Sequence, residues 1–181
     1  MVELSGVSFG YQSDKNVLDN LNLRMEEGRF YGLLGMNGSG KTTLLKLIAG
    51  KLFAHGGEIY VDGRNLRERD VETLQKVFML PADFIFPNMS LEQFLAIYSE
   101  FYPEFRKEVL NDCLVNFEIQ RDIKNLNQLS LGEKHKVAFS IALSLGTKIV
   151  LLDEAANGMD IPARKMFRKL LMKHVREDQI V

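Results

Sequence analysis

The residues with the strongest chemical potential lie at Gly35-Met36-Asn37-Gly38-Ser39-Gly40-Lys41-Thr42, which reads G-x-x-x-x-G-K-T. Gly35, Gly38 and Gly40 let the backbone curl until successive N–H groups point at one anion. Lys41 adds a mobile full charge for terminal phosphates, and Thr42 a hydroxyl for Mg²⁺. A helix beginning near Lys41 would bring the positive end of its dipole to the same place. A second pair of groups, Asp153 and Glu154, closes the apolar run Lys148-Ile149-Val150-Leu151-Leu152. A buried parallel strand delivers its C-terminal acids to the crevice where ligands bind. There Asp153 would orient Mg²⁺, and Glu154 would polarise a water for in-line attack on a γ-phosphate. The plain alternatives are a glycine-rich turn without ligand and two acids at a strand end. Both weaken when the two patterns occur in one chain.

These groups need elements to hold them. Phe30-Tyr31-Gly32-Leu33-Leu34 is expected as a buried strand leading into the glycine loop, and Thr43–Gly50 as a helix stopped by glycine. Val2–Phe9 and the run Leu18, Leu21, Leu23, Met25 read as strands, with Tyr11 just past the first. Glu58–Val61 is a strand ending at Asp62-Gly63, a hairpin-type turn, and Val77–Leu80 a short strand cut by Pro81. From about 87 to 125 the character turns helical. Ser90 caps a helix carrying Leu91, Phe94, Leu95 and Tyr98, and Pro103 opens another running to Phe117. Ser130 and Glu133 form a capping box at the start of a long helix through Leu145. A capped helix start can also receive an anion. A last helix spans Ile161 to about Arg176. Its basic side (Arg164, Lys165, Arg168, Lys169, Lys173, Arg176) is expected to be solvated, as is His174. Ile180-Val181 would begin another strand.

Composition limits the possibilities. The 181 residues suffice for one domain with its own core, and net charge of −1 gives no field favouring nucleic acid or an anionic membrane. The single cysteine, Cys113, excludes an internal disulfide framework and reads as a small core residue. No signal peptide is expected at the N-terminus, and no apolar run approaches the roughly 20 residues that span a bilayer.

With these motifs in order, the chain resembles the nucleotide-binding domain of ATP-binding cassette (ABC) ATPases, the ATPase subunits of ABC transporters. The likeness rests on four segments: Gly35–Thr42, Leu129–Glu133 against the signature L-S-G-G-Q, Val150–Glu154 against the Walker B strand, and Asn157-Gly158-Met159-Asp160 against the D-loop. It implies an α/β phosphate-loop NTPase core (1–86 and 126–181) with an N-terminal antiparallel β region and an inserted helical subdomain (87–125). ATP and Mg²⁺ are the implied cofactors. ATP would be held by Tyr11, stacking on adenine, and by Gly35, Asn37, Gly38, Ser39, Gly40, Lys41, Thr42 and Thr43. Thr42 and Asp153 would hold the metal and Glu154 would be catalytic. Ser130, Gly132 and Glu133 would contact the ATP of a second copy in a head-to-tail dimer, with Asp160 in the D-loop. The family's use of the region near Asp83–Pro87 implies docking of an integral membrane permease there; packing of the helical insert is the alternative. The implied location is cytoplasmic, peripheral at the inner face of the membrane. A soluble ABC ATPase acting on DNA or the ribosome, and a regulatory cassette with little hydrolysis, are the alternative readings.

The chain also departs from the family pattern. Leu131 and Glu133 replace the first glycine and the glutamine of the signature. Ala155 stands where the family has a proline, and Ala82, followed by Asp83, where it has the Q-loop glutamine. His55, His135 and His174 do not match the switch histidine, which by family spacing would lie beyond Val181. The expectation is therefore that C-terminal strands are truncated and that these 181 residues hydrolyse ATP slowly.

Overall fold

The computed structural model describes residues 1–12 and 15–181. The chain divides into two compact units. The first comprises Met1–Met79, Lys148–Leu151 and Glu177–Val181; the second comprises Leu80–Thr147 and Leu152–Arg176.

The first unit is built on strands β1 (Val2–Phe9) and β2 (Leu18–Met25), helix α1 (Lys41–Ile48), strands β3 (Gly56–Val61) and β4 (Arg64–Asn65), helix α2 (Val71–Gln75) and strand β5 (Val77–Leu80). Four of these strands form an antiparallel sheet in the order β2-β1-β3-β4. In β1 the buried residues are Val2, Leu4, Val7 and Phe9, so strict alternation slips by one residue at Gly6. Gly6 takes φ +61° where the register with β2 shifts, a bulge that keeps the apolar set on one face. Asp62 and Gly63 both have positive φ, the type I′ turn expected between β3 and β4.

Helix α1 buries Thr43, Leu44, Leu45, Leu47 and Ile48 into a core shared with Val2, Leu4, Val7, Val61 and Met79. It ends at Gly50, whose φ of +65° and N–H bond to Leu47 close the last turn. β5 pairs with β6 (Ile149–Leu152). Lys76 accepts from Ile149 N, and Leu80 from Asp153 N, so the bonds advance in the same sense on both strands and the pair is parallel. Ile180 bridges Ile149 on one side and Arg29 on the other, both in parallel sense.

The segment before the glycine loop departs from expectation: Phe30–Leu34 is not a strand. Tyr31 N donates to Val181 O, but past Tyr31 no described residue supplies a ladder, and Leu34 is 96% exposed. Apolar residues form a strand only where a neighbour completes the hydrogen bonding.

The second unit is helical: α3 (Leu91–Phe101), α4 (Lys107–Asn116), α5 (Leu131–Ser144) and α6 (Ile161–His174). Ser90 and Gln93 form a capping box on α3, and Ser130 and Glu133 one on α5. Asp160 caps α6 through Ala163 N at 2.8 Å. Phe84 meets Phe86 and Phe86 meets Phe94 edge-on, Phe94 stacks on Tyr98, and Phe86 is fully buried, so the 83–87 segment's two phenylalanines pack inward while Ile85 and Pro87 are exposed. Cys113 is buried in α4, and burial pushes its thiol up to about 12, as a packing residue requires.

Two expectations are corrected in this unit. Helix α4 starts at Lys107, not Pro103. Phe105 N closes a turn on Tyr102 O, and the Arg106 guanidinium anchors to the carbonyls of Leu143 and His174, fixing the chain outside the helix. His174 is not solvated. Its ring lies 2.6 Å from Asp112 Oδ2, which Lys173 also contacts at 2.8 Å. Lys173 first, then His174, holds the Asp112 carboxyl below its usual range against the upward pull of burial.

Candidate functional site

The glycine loop belongs to the first unit. Gly38 and Gly40 adopt φ of +80° and +91°, which turn the loop into α1, and a Cβ on Gly40 would press on Val17 and Leu18 at 3.1–3.2 Å. Gly40 is also the N-cap of α1, so no side chain satisfies the first N–H groups of the helix, and no acid sits in its first turn. At α2, α3, α5 and α6 an aspartate or a serine fills that role; α4, with Arg106 at its N-cap, shares the lack of a side-chain cap but carries Glu108 in its first turn. A helix start left open, beneath a loop whose Gly35 and Gly38 are exposed, is suited to an anion. Lys41 Nζ donates to the carbonyls of Gly35 and Met36 at 2.8 and 2.9 Å, folded across its own loop. An ammonium gains more from phosphate oxygens than from neutral carbonyls, so this arrangement is ready to exchange partners.

Tyr11 stands beside the same helix. Its hydroxyl is 3.2 Å from Thr43 Oγ1, and its ring meets Phe9 edge-on at 5.1 Å. The ring nonetheless stays 61% exposed, leaving a face for a planar ligand. Thr43 itself is buried, and this link to Tyr11 is not visible in the linear pattern.

In the second unit, Asp153 is buried and its N–H is fixed by Leu80 O at 3.0 Å. Glu154 follows in an exposed turn with φ +50°, a left-handed backbone that glutamate seldom adopts. Asn157 Nδ2 donates to Glu154 Oε2 at 2.5 Å, a contact that the linear D-loop pattern does not announce. At the start of α5, Ser130 N and Ser130 Oγ both donate to Glu133 Oε2, at 2.9 and 2.6 Å, and these bonds hold the Glu133 carboxyl below its usual range. Gly132 and Gly158 lie against each other: a Cβ on Gly132 would be 3.2 Å from Gly158 O. The start of α5 and the 157–160 turn are thus neighbours. Ala82 and Asp83 are both exposed in the turn after β5.

Among the described residues no cluster of three or more His, Cys, Asp or Glu could hold a metal by itself. Magnesium does not require one. It keeps waters and is bound through one or two carboxylates plus substrate phosphates. No described helix is long and apolar enough to cross a membrane.

Residues 18–157 match the family model described as "ABC transporter". The chain belongs to the ABC transporter family. Among curated relatives, the ABC transporter ATP-binding protein YtrB of Bacillus subtilis (strain 168) is 30% identical over 177 residues. That match covers 98% of this chain but 60% of YtrB, so the chain spans about three fifths of the relative's length. A solved protein of Pyrococcus furiosus is 30% identical with a TM-score of 0.83, covering 99% of this chain and 88% of its own. An ATP-binding cassette solved as a dimer in a post-hydrolysis state, bound to ADP and Pi, is 26% identical with a TM-score of 0.84, covering 100% and 86%. The fold is therefore that of the family's ATPase domains, with the phosphate-loop core and antiparallel N-terminal sheet expected from the sequence.

Proposed function

We propose that this chain is the ATP-binding and ATP-hydrolysing subunit of an ABC transporter, driving a separate membrane permease through ATP-dependent dimerisation. The observation that carries the reading is the glycine loop of a family member. Its open helix start, positive-φ glycines and inward-folded Lys41 suit a polyphosphate. Tyr11 offers an exposed ring to adenine. Thr42, through its hydroxyl, and Asp153, through its carboxylate, would hold Mg²⁺, which would supply positive charge against the phosphates. Glu154 accepts a proton from the attacking water. Ser130 and Gly132 of a second copy contact the γ-phosphate, with Glu133 flanking them and Asp160 shaping the D-loop between the copies. The dimeric relative bound to ADP and Pi supports two-copy assembly. The 83–87 segment, where Ile85 is 80% exposed, is the docking point for the permease, which places the chain at the cytoplasmic face of a membrane.

Glu154→Gln tests the catalytic half of this reading. The amide keeps the size of the side chain but cannot accept the proton, so binding of a fluorescent ATP analogue should persist while phosphate release stops. Release at the parent rate would move the base elsewhere, and absence of nucleotide binding by the parent chain would remove the reading altogether.

A further inference from the structure

The turn that follows β6 contains a device that the motif does not explain. Glu154 sits in the left-handed region at φ +50°, where a side chain longer than glycine's is strained. Its neighbour Ala155 has no pyrrolidine ring to restrict the preceding residue, so this backbone is open to Glu154. One residue then grips Glu154 at both ends. Asn157 N donates to the Glu154 carbonyl at 2.8 Å, and Asn157 Nδ2 donates to Oε2 of its carboxylate at 2.5 Å. Among the described residues the other oxygen, Oε1, has no partner. The turn is itself anchored. Asp153 N is tied to Leu80 O on one side, and Asp160 caps α6 on the other. Gly158, at φ +73°, packs so closely on Leu131 that a Cβ would lie 3.2 Å from Leu131 Cγ.

We propose that Asn157 is a positioning residue for Glu154: its side-chain amide fixes one carboxylate oxygen so that the other is presented to the attacking water. This rests on the reading of Glu154 as the proton acceptor. A free glutamate at an exposed turn samples several rotamers, and only some aim an oxygen at a water in line with the γ-phosphate. A donor bonded to Oε2 selects one, which affects the chemical step and leaves nucleotide binding alone.

The test uses the full chain with Asn157→Ala, Asn157→Asp and Asn157→Gln, with Glu154→Gln as control. Aspartate keeps the volume and turn preference of asparagine but, when ionised, loses the donor and repels the carboxylate. Asn157→Asp should lower kcat by at least about tenfold with KM for ATP within about twofold and melting unchanged, Asn157→Ala less so, and Asn157→Gln should recover part of the rate. Wild-type kcat in Asn157→Asp, with Glu154→Gln inactive, overturns the positioning role while leaving Glu154 as the base. A faster Asn157→Ala would mean that the bond parks the carboxylate, and overturns it equally. If Glu154→Gln keeps turnover, the reading of Glu154 fails and this one with it. The bond can also be read without turnover. The Asn157 side-chain amide proton should shift in the NMR spectrum of Glu154→Ala, and an unmoved resonance would refute the contact.

Discussion

Replacing Asp62 by asparagine isolates one charge in the first unit. Asp62 occupies the first central position of the β3–β4 turn with φ +50°. Asparagine tolerates that backbone, and Asn-Gly is a preferred type I′ pair, so the turn survives the change. The charge does not. Asp62 Oδ1 lies 2.8 Å from the Met1 ammonium, and Oδ2 lies 3.0 Å from Lys76 Nζ and 3.5 Å from Lys148 Nζ. Burial alone would raise this carboxyl, but the Met1 and Lys76 hydrogen bonds and the Lys148 charge hold it down, to about 2. Against an unfolded value of about 3.9, the depressed native value contributes roughly 2 kcal/mol at pH 7. The sign follows from the depression. The stability is present above the unfolded value and is lost as pH falls through the native one. It shrinks to about 1 kcal/mol at pH 3 and to under about 0.5 kcal/mol at pH 2. For a chain of this size, a loss of 2 kcal/mol corresponds to about 4–8 °C in melting temperature. Urea unfolding of parent and Asp62→Asn between pH 7 and pH 2 measures the difference. Equal stabilities at pH 7, or a gap that stays constant down to pH 2, would refute the reasoning.

Three further outcomes follow from particular residues. Tyr11→Ala should weaken ATP by about 1 kcal/mol of stacking while leaving tripolyphosphate affinity unchanged, by titration calorimetry; a parallel loss of both would make Tyr11 a support for Thr43 instead. Gly57→Ala should destabilise by more than about 1 kcal/mol in denaturant titration, because φ is +75° and the new Cβ would lie 2.4 Å from Gly6 O; an unchanged midpoint would contradict the close approach of β3 to the β1 bulge. Alkylation of Cys113 at pH 8 should be slow in the native chain and fast in denaturant, since its buried thiol is held up to about 12; rapid native labelling would contradict that burial.

What could be read from the sequence was mostly local. The glycine loop, the Ser90 cap, the capping box of Ser130 and Glu133 and the Asp62-Gly63 turn depend on residues within a few positions of one another, and each formed as its spacing required. Distant partners were not legible. Phe30–Leu34 has the composition of a strand, but a strand also needs a neighbour's ladder, which ends at the Tyr31–Val181 bond. His174 looked like a solvated end of a basic helix, because Asp112 lies 62 residues away and nothing in the α6 pattern announces it. Pro103 gave a plausible helix start that the anchoring of Arg106 overrode. At the site, residue types revealed which groups could do chemistry. The hold of Asn157 on Glu154 depends on the left-handed backbone at Glu154, and Ala155 permits that backbone without predicting it.

The central claim is that Gly35–Thr42 binds the phosphates of ATP with Lys41 as its full charge. Titrating a fluorescent ATP analogue into parent and Lys41→Ala tests this most directly. Removing a charge-assisted contact of about 1.5–3 kcal/mol should weaken binding by roughly 10- to 150-fold, with the melting temperature of the nucleotide-free chain held. Equal affinity for the two proteins would contradict the assignment of the loop.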